Sequence, residues 1–146
     1  MDLHAIRQGL ADLLNAIPDL RAYAYTPTSP RPAQGGMVII DEADDADMVA
    51  YHQSGPDTTT VQLTAVVIVS AIDVAGAQQL LDDYRSTGNA KSLADALESM
   101  PTLGGAAQSV LVRGAGPTID YDLAAGGSSP DGRRYWSMEM QIEVLA

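Results

Sequence analysis

The chain contains no cysteine. Disulfides, thiolate metal sites and thiol catalysis are thereby excluded, and the composition suits a reducing compartment. Cations are scarce: eight Lys and Arg against nineteen Asp and Glu leave a formal net charge of −11. Proteins that grip phosphate backbones cluster their cations, whereas the largest basic cluster here is the pair Arg133-Arg134, so nucleic-acid binding by charge is not expected. Long apolar runs are missing too. The longest, Ala65 to Ile72, is interrupted by Ser70 and falls far short of the roughly 20 residues a membrane helix needs. Met1-Asp2-Leu3-His4 leads directly into a patterned segment bearing Arg7 and Asp12, without the cationic and apolar regions of a secretion signal, so export is not expected.

Catalytic signatures are equally sparse. His4 and His52 are the only histidines, and neither lies in a Gly-x-Ser-x-Gly, His-x-x-x-His or nucleophile-elbow context. Gly114-Ala115-Gly116 follows a strand-like segment but lacks the third glycine and the helix of a dinucleotide-binding turn. It reads as a tight inter-strand loop. The acidic run Asp41, Glu42, Asp44, Asp45 and Asp47 offers hard-cation ligands, yet it fails the EF-hand spacing, with Ala46 at the glycine position and His52 at the final glutamate position. It reads as a solvated loop and a source of negative field. No cofactor, metal or catalytic residue is therefore expected.

Against these absences stands strong periodicity. Trp136, Met138, Met140, Ile142 and Val144 alternate with Ser137, Glu139, Gln141 and Glu143, which predicts a strand with one buried and one wet face. Trp136 is in phase with the methionines and is expected to pack in the core. Leu3, Ile6, Leu10, Leu13, Leu14 and Ile17 form one stripe of a helix that Asp2 caps and Pro18 stops. Strands are predicted at Arg21 to Tyr25, Met37 to Ile40, Met48 to His52, Val110 to Arg113 and Ile119 to Leu123. Thr58 to Ala71 is apolar on both faces toward its middle and predicts a central strand. Asp73 caps a helix from Val74 to about Thr87, burying Ala77, Leu80, Leu81 and Tyr84, with Gly88 as its stop. Ser92 and Asp95 resemble a capping box for a short helix bearing Leu93, Ala96, Leu97 and Met100.

Strands are not evenly alternated with helices. The expected fold is therefore a single α+β domain spanning 1–146, a largely antiparallel or mixed sheet with the N-terminal helix and a central helix pair mainly on one face. Two Pro/Gly-rich loops, Thr26 to Gly36 and Ala124 to Arg134, exceed ordinary connections of roughly 4 to 6 residues and are expected to be mobile arms.

The order of a short amphipathic helix, a Pro-rich loop, a long Thr/Val-rich strand, the helix Ala77-Gln78-Gln79-Leu80-Leu81-Asp82-Asp83-Tyr84 and the terminal strand Tyr135-Trp136-Ser137-Met138-Glu139-Met140-Gln141-Ile142-Glu143-Val144 is similar to the tail terminator (tail completion) proteins of long-tailed bacteriophages. The resemblance covers nearly the whole chain and rests on pattern and length. It implies a structural virion protein, assembled in the host cytoplasm, that forms a hexameric ring on the tail tube, ends tail polymerisation and presents a docking surface to the head connector. No catalytic residues carry over. On this reading DNA passes without specific binding, and Asp41, Glu42, Asp44, Asp45 and Asp47 are expected to face the lumen, because carboxylates repel phosphate. Pro30, Arg31, Pro32, Ser129, Asp131, Arg133 and Arg134, in the two loops, are the expected contacts with neighbouring subunits or the tube. The alternatives are another neck or head-completion protein, or a small-ligand binding module.

Overall fold

The structure, a computed structural model, describes residues 1–28, 35–43, 48–52, 55–121 and 134–146. Its elements are α1 (Leu3–Asn15), β1 (Arg21–Tyr23), β2 (Met37–Glu42), β3 (Val49–Tyr51), β4 (Thr59–Ser70), α2 (Val74–Arg85), α3 (Leu93–Glu98), a 3₁₀ turn (Leu103–Gly105), β5 (Ser109–Ala115), β6 (Ile119–Tyr121) and β7 (Tyr135–Leu145). Among the described residues seven strands form one sheet in the order β1-β2-β4-β7-β5, with β3 beside β4 and β6 beside β7. The β1–β2 pair is parallel and every other pair is antiparallel, so the fold is α+β with a mixed sheet.

The two long strands set the frame. β4 and β7 pair over eleven positions, Thr60 with Leu145 through Ser70 with Tyr135, and lie at the centre of the sheet. Cross-strand partners share a face. Val61, Leu63, Ala65, Val67 and Val69 therefore line up with Val144, Ile142, Met140, Met138 and Trp136, and all three helices pack on that face. Ile6, Leu10 and Leu14 of α1, Leu81 and Tyr84 of α2, and Leu93 and Leu97 of α3 join it in one core and are fully buried. Each such aliphatic side chain contributes roughly 1.5–3 kcal/mol of burial.

Local chemistry sets the helix ends. Asp2 accepts the Ala5 N–H at 3.1 Å and starts α1; Asp73 accepts from Gly76 N–H at 3.1 Å and starts α2. The apolar stripe of α1 runs on to Ile17, which is buried, but the helix stops at Asn15 because the chain tightens there, with Ile17 N–H donating to Leu14. α2 stops at Arg85 with Ser86 extended, three residues before Gly88. Leu80 is half-buried instead of in the core. At α3, Ser92 accepts the Asp95 N–H, but the Asp95 carboxylate accepts from Gly88 N–H at 2.6 Å, so the capping box closes on one side only. Met100 lies beyond that helix, 51% exposed and off its buried face. Gly114 and Ala115 belong to β5 and follow a register shift after Val112, where a tight loop was expected.

The fold brings Gly36 against β4: its φ is +101°, and a Cβ there would lie 2.6 Å from the Ile68 carbonyl oxygen. Only glycine permits this approach. The predicted strand ends at Asp122 and Leu123, and most of both predicted loops, lie outside the described residues. Among the described residues no helix is long and apolar enough to cross a membrane.

Candidate functional site: the second face of the sheet

No described helix packs on the face opposite the main core. Rows of side chains cross it from strand to strand: Met37, Ile68, Ser137 and Ile119 in one, Ile39, Val66 and Glu139 in the next, then Asp41, Thr64 and Gln141, then Gln62, Glu143 and Leu111. The face is thus graded, apolar where β7 begins and polar where it ends. The apolar middle of β4 predicts cover on this face too, and it carries a second, smaller core of Met37, Ile39, Ile68 and Tyr135, with Tyr23, Val66 and Tyr121 packed against it; only the start of the β7 row, which reads as polar, departs from expectation. Burial pushes the Tyr121 hydroxyl up from its usual range, with the Asp41 charge adding to the effect. Ser137 is 1% exposed, and among the described residues neither its hydroxyl nor that of Ser70 has a hydrogen-bond partner. Ile119 and Leu111 remain 48% and 41% exposed at the margin. Arg113 pairs with Glu143 at 2.7 Å across the polar end.

The acidic run begins on this sheet. Asp41 and Glu42 are the last residues of β2, so they point to opposite faces: Asp41 to the second face, Glu42 to the helical side. Glu42 there pairs with Arg7 at 3.6 Å. Asp44, Asp45 and Asp47 lie outside the described residues, as do Pro30, Arg31, Pro32, Ser129, Asp131 and Arg133. Arg134 is described; it is exposed and lies 3.6 Å from Asp120 of β6. Trp136, expected in the core, packs against it on the helical side.

Two features had no sequence signal. Arg7, in the middle of α1, is buried; its guanidinium donates to the carbonyls of Ala24 at 3.3 Å and Ile40 at 2.9 Å and lies over the Tyr25 ring at 4.8 Å. His4 joins this cluster, stacked ring to ring with Tyr25 at 5.8 Å. The one available clue is position: Arg7 lies three residues before Leu10 and four after Leu3, at the border of the apolar stripe. The second feature is a cleft of about 280 Å³ between the end of α1 and α2, lined by Asp19, Gly35, Gln79, Asp83, Tyr84 and Lys91, the only lysine of the chain. The Tyr84 hydroxyl donates to the Gly35 carbonyl at its base. Burial, with Asp19 and Asp83 adding negative charge, pushes that hydroxyl up to about 12.

Chemically, the second face offers apolar area, hydrogen-bonding amides and carboxylates, the mixture of an association surface. His52 is exposed, with its ring 3.3 Å from the Pro56 carbonyl, and His4 faces the Tyr25 hydroxyl at 3.2 Å. Among the described residues no three His, Asp or Glu side chains converge as metal ligands. No family model matches the chain, and no curated protein matches its sequence.

Proposed function

We propose that this protein is a structural virion subunit that assembles as a ring, caps the tail tube and ends its polymerisation, and presents a docking surface for the head connector. The observation that carries the reading is the second face of the sheet, on which no helix packs among the described residues, graded from the Met37–Ile68 row to the Asp41–Gln141 row. The apolar end of this face is buried within the chain, so the open polar end and the exposed margin at Ile119 and Leu111 are the surface left for neighbours, and the change from one to the other fixes the orientation in which a neighbour docks. The net charge of −11 supports passage of DNA through such a ring, since carboxylates repel phosphate.

Light scattering coupled to size exclusion, with and without tail tube protein, tests the reading. A discrete ring is expected, alone or on adding tube protein. Ile119→Asp, which changes an exposed marginal residue, should abolish the ring while leaving cooperative melting intact. A wild-type protein that stays monomeric at high concentration with tube protein present would overturn the proposal.

The cleft favours a second reading, a module for a small cationic ligand. Asp19 and Asp83 outnumber Lys91 in its lining and attract an ammonium or guanidinium group, while Leu80 and Tyr84 supply an apolar wall. A persistent monomer whose melting temperature rises with an alkylamine or arginine would favour this reading over the ring.

A further inference from the structure

An edge strand presents unpaired N–H and C=O groups and templates the addition of another strand. Among the described residues four strands border the sheet: β1 and β3 on one side, β5 and β6 on the other. β1, β3 and β6 are three residues each, too short to hold a partner strand alone.

On β1, Arg21 N–H turns inward to the Gly36 carbonyl at 3.3 Å, so both backbone groups of Ala22 face outward. The Asn15 side chain at the end of α1 takes both. Its Oδ1 accepts the Ala22 N–H at 2.8 Å and its Nδ2 donates to the Ala22 carbonyl at 3.1 Å. A carboxamide has the donor and acceptor of a peptide group, so Asn15 supplies the hydrogen bonds that one residue of a further strand would supply.

The long border is β5, Ser109–Ala115. There Glu98, the last residue of α3, accepts the Val112 N–H at 2.9 Å. Immediately beyond, the register shifts between Val112 and Gly114, which interrupts the regular ladder a new strand would follow. The two closures differ: Asn15 makes two partly buried bonds, whereas Glu98 makes one exposed bond.

We infer that Asn15 and Glu98 are edge plugs that close the two sides of the sheet to strand addition, so that copies of this chain meet through faces and loops while open-ended sheet extension is blocked. β5 is the side that opens first, because a single exposed bond holds it. The inference stands apart from the ring reading, since it concerns how the subunit avoids polymerising through its backbone, whatever it assembles with.

The test uses Glu98→Ala, with Glu98→Gln retaining a carbonyl acceptor as rescue, and a synthetic peptide of the Ser109–Ala115 sequence as the strand probe. The Ala variant should bind the peptide about tenfold more tightly than wild type and form large thioflavin-positive species, and the Gln variant should restore wild-type behaviour; about tenfold is the equilibrium effect of one hydrogen bond of this kind. A Glu98→Ala protein that melts cooperatively, ignores the peptide and keeps its wild-type size would overturn the inference. Amide exchange on the wild-type chain decides the matter even where the variant does not fold. Val112 should be protected, and exchange at the rate of a solvent-exposed edge amide would equally overturn it.

Discussion

Arg7 shows how one charged side chain is retained inside an apolar stripe: two backbone carbonyls, of Ala24 just after β1 and of Ile40 within β2, accept its hydrogens. Arg7→Met would keep the bulk and leave those carbonyls unpaired, so a loss of about 1–3 kcal/mol is expected by denaturant titration. Glu42→Gln should cost less than about 1 kcal/mol, because the Glu42 side chain is 67% exposed and its ion pair is screened. Ser137 makes the opposite case. Its buried hydroxyl has no partner among the described residues, so Ser137→Ala should be neutral or stabilise by up to about 1 kcal/mol. The exposure of Glu42 was legible in the acidic run, but the environments of Arg7 and Ser137 were not: both have the residue types of a solvated surface, and their burial depends on chain segments far away in sequence.

At the scale of elements, periodicity carried the information. The alternation from Trp136 to Val144 and the stripe from Leu3 to Ile17 located β7 and α1 because burial on one face leaves a fixed repeat in the sequence. Element ends were less legible. α2 ends at Arg85 and not near Gly88, and α3 excludes Met100, because the Ser86 and Ser99 hydroxyls turn back to donate to the Asp82 and Ala96 carbonyls at those ends. Met140→Asp should prevent cooperative folding, since Met140 is 1% exposed between β4 and the helices; a soluble variant with a sharp melting transition would contradict the placement of β7. Gly36→Ala should cost about 1–3 kcal/mol through its positive φ and the approach to Ile68.

At the scale of the whole molecule, alkaline pH probes the junction of α2 with the sheet. Tyr84 has its hydroxyl raised from 10.0 to about 12, so the folded state holds this proton more tightly than the unfolded chain. The associated stability is fully present below pH 10 and is lost as pH rises toward 12; it amounts to at most about 2–3 kcal/mol. Tyr84→Phe should flatten that slope in pH-dependent melting while losing about 1 kcal/mol at neutral pH from the bond to Gly35. The α+β class, the one-sided placement of helices and the apolar character of β4 on both faces were legible in the sequence, whereas the β7 row from Ser137 reads as polar, and Met37 and Ile39 look like ordinary core until pairing shows which way they point. Chain order adds a constraint on biogenesis. β7, last of the strands in sequence, fills the gap between β4 and β5, so during translation the flank of β4 stays bare until residues 135–145 leave the ribosome. A nascent chain stalled before that point holds an adhesive half-sheet, and holdase chaperones are expected to bind it there and release it once the final segment slots in.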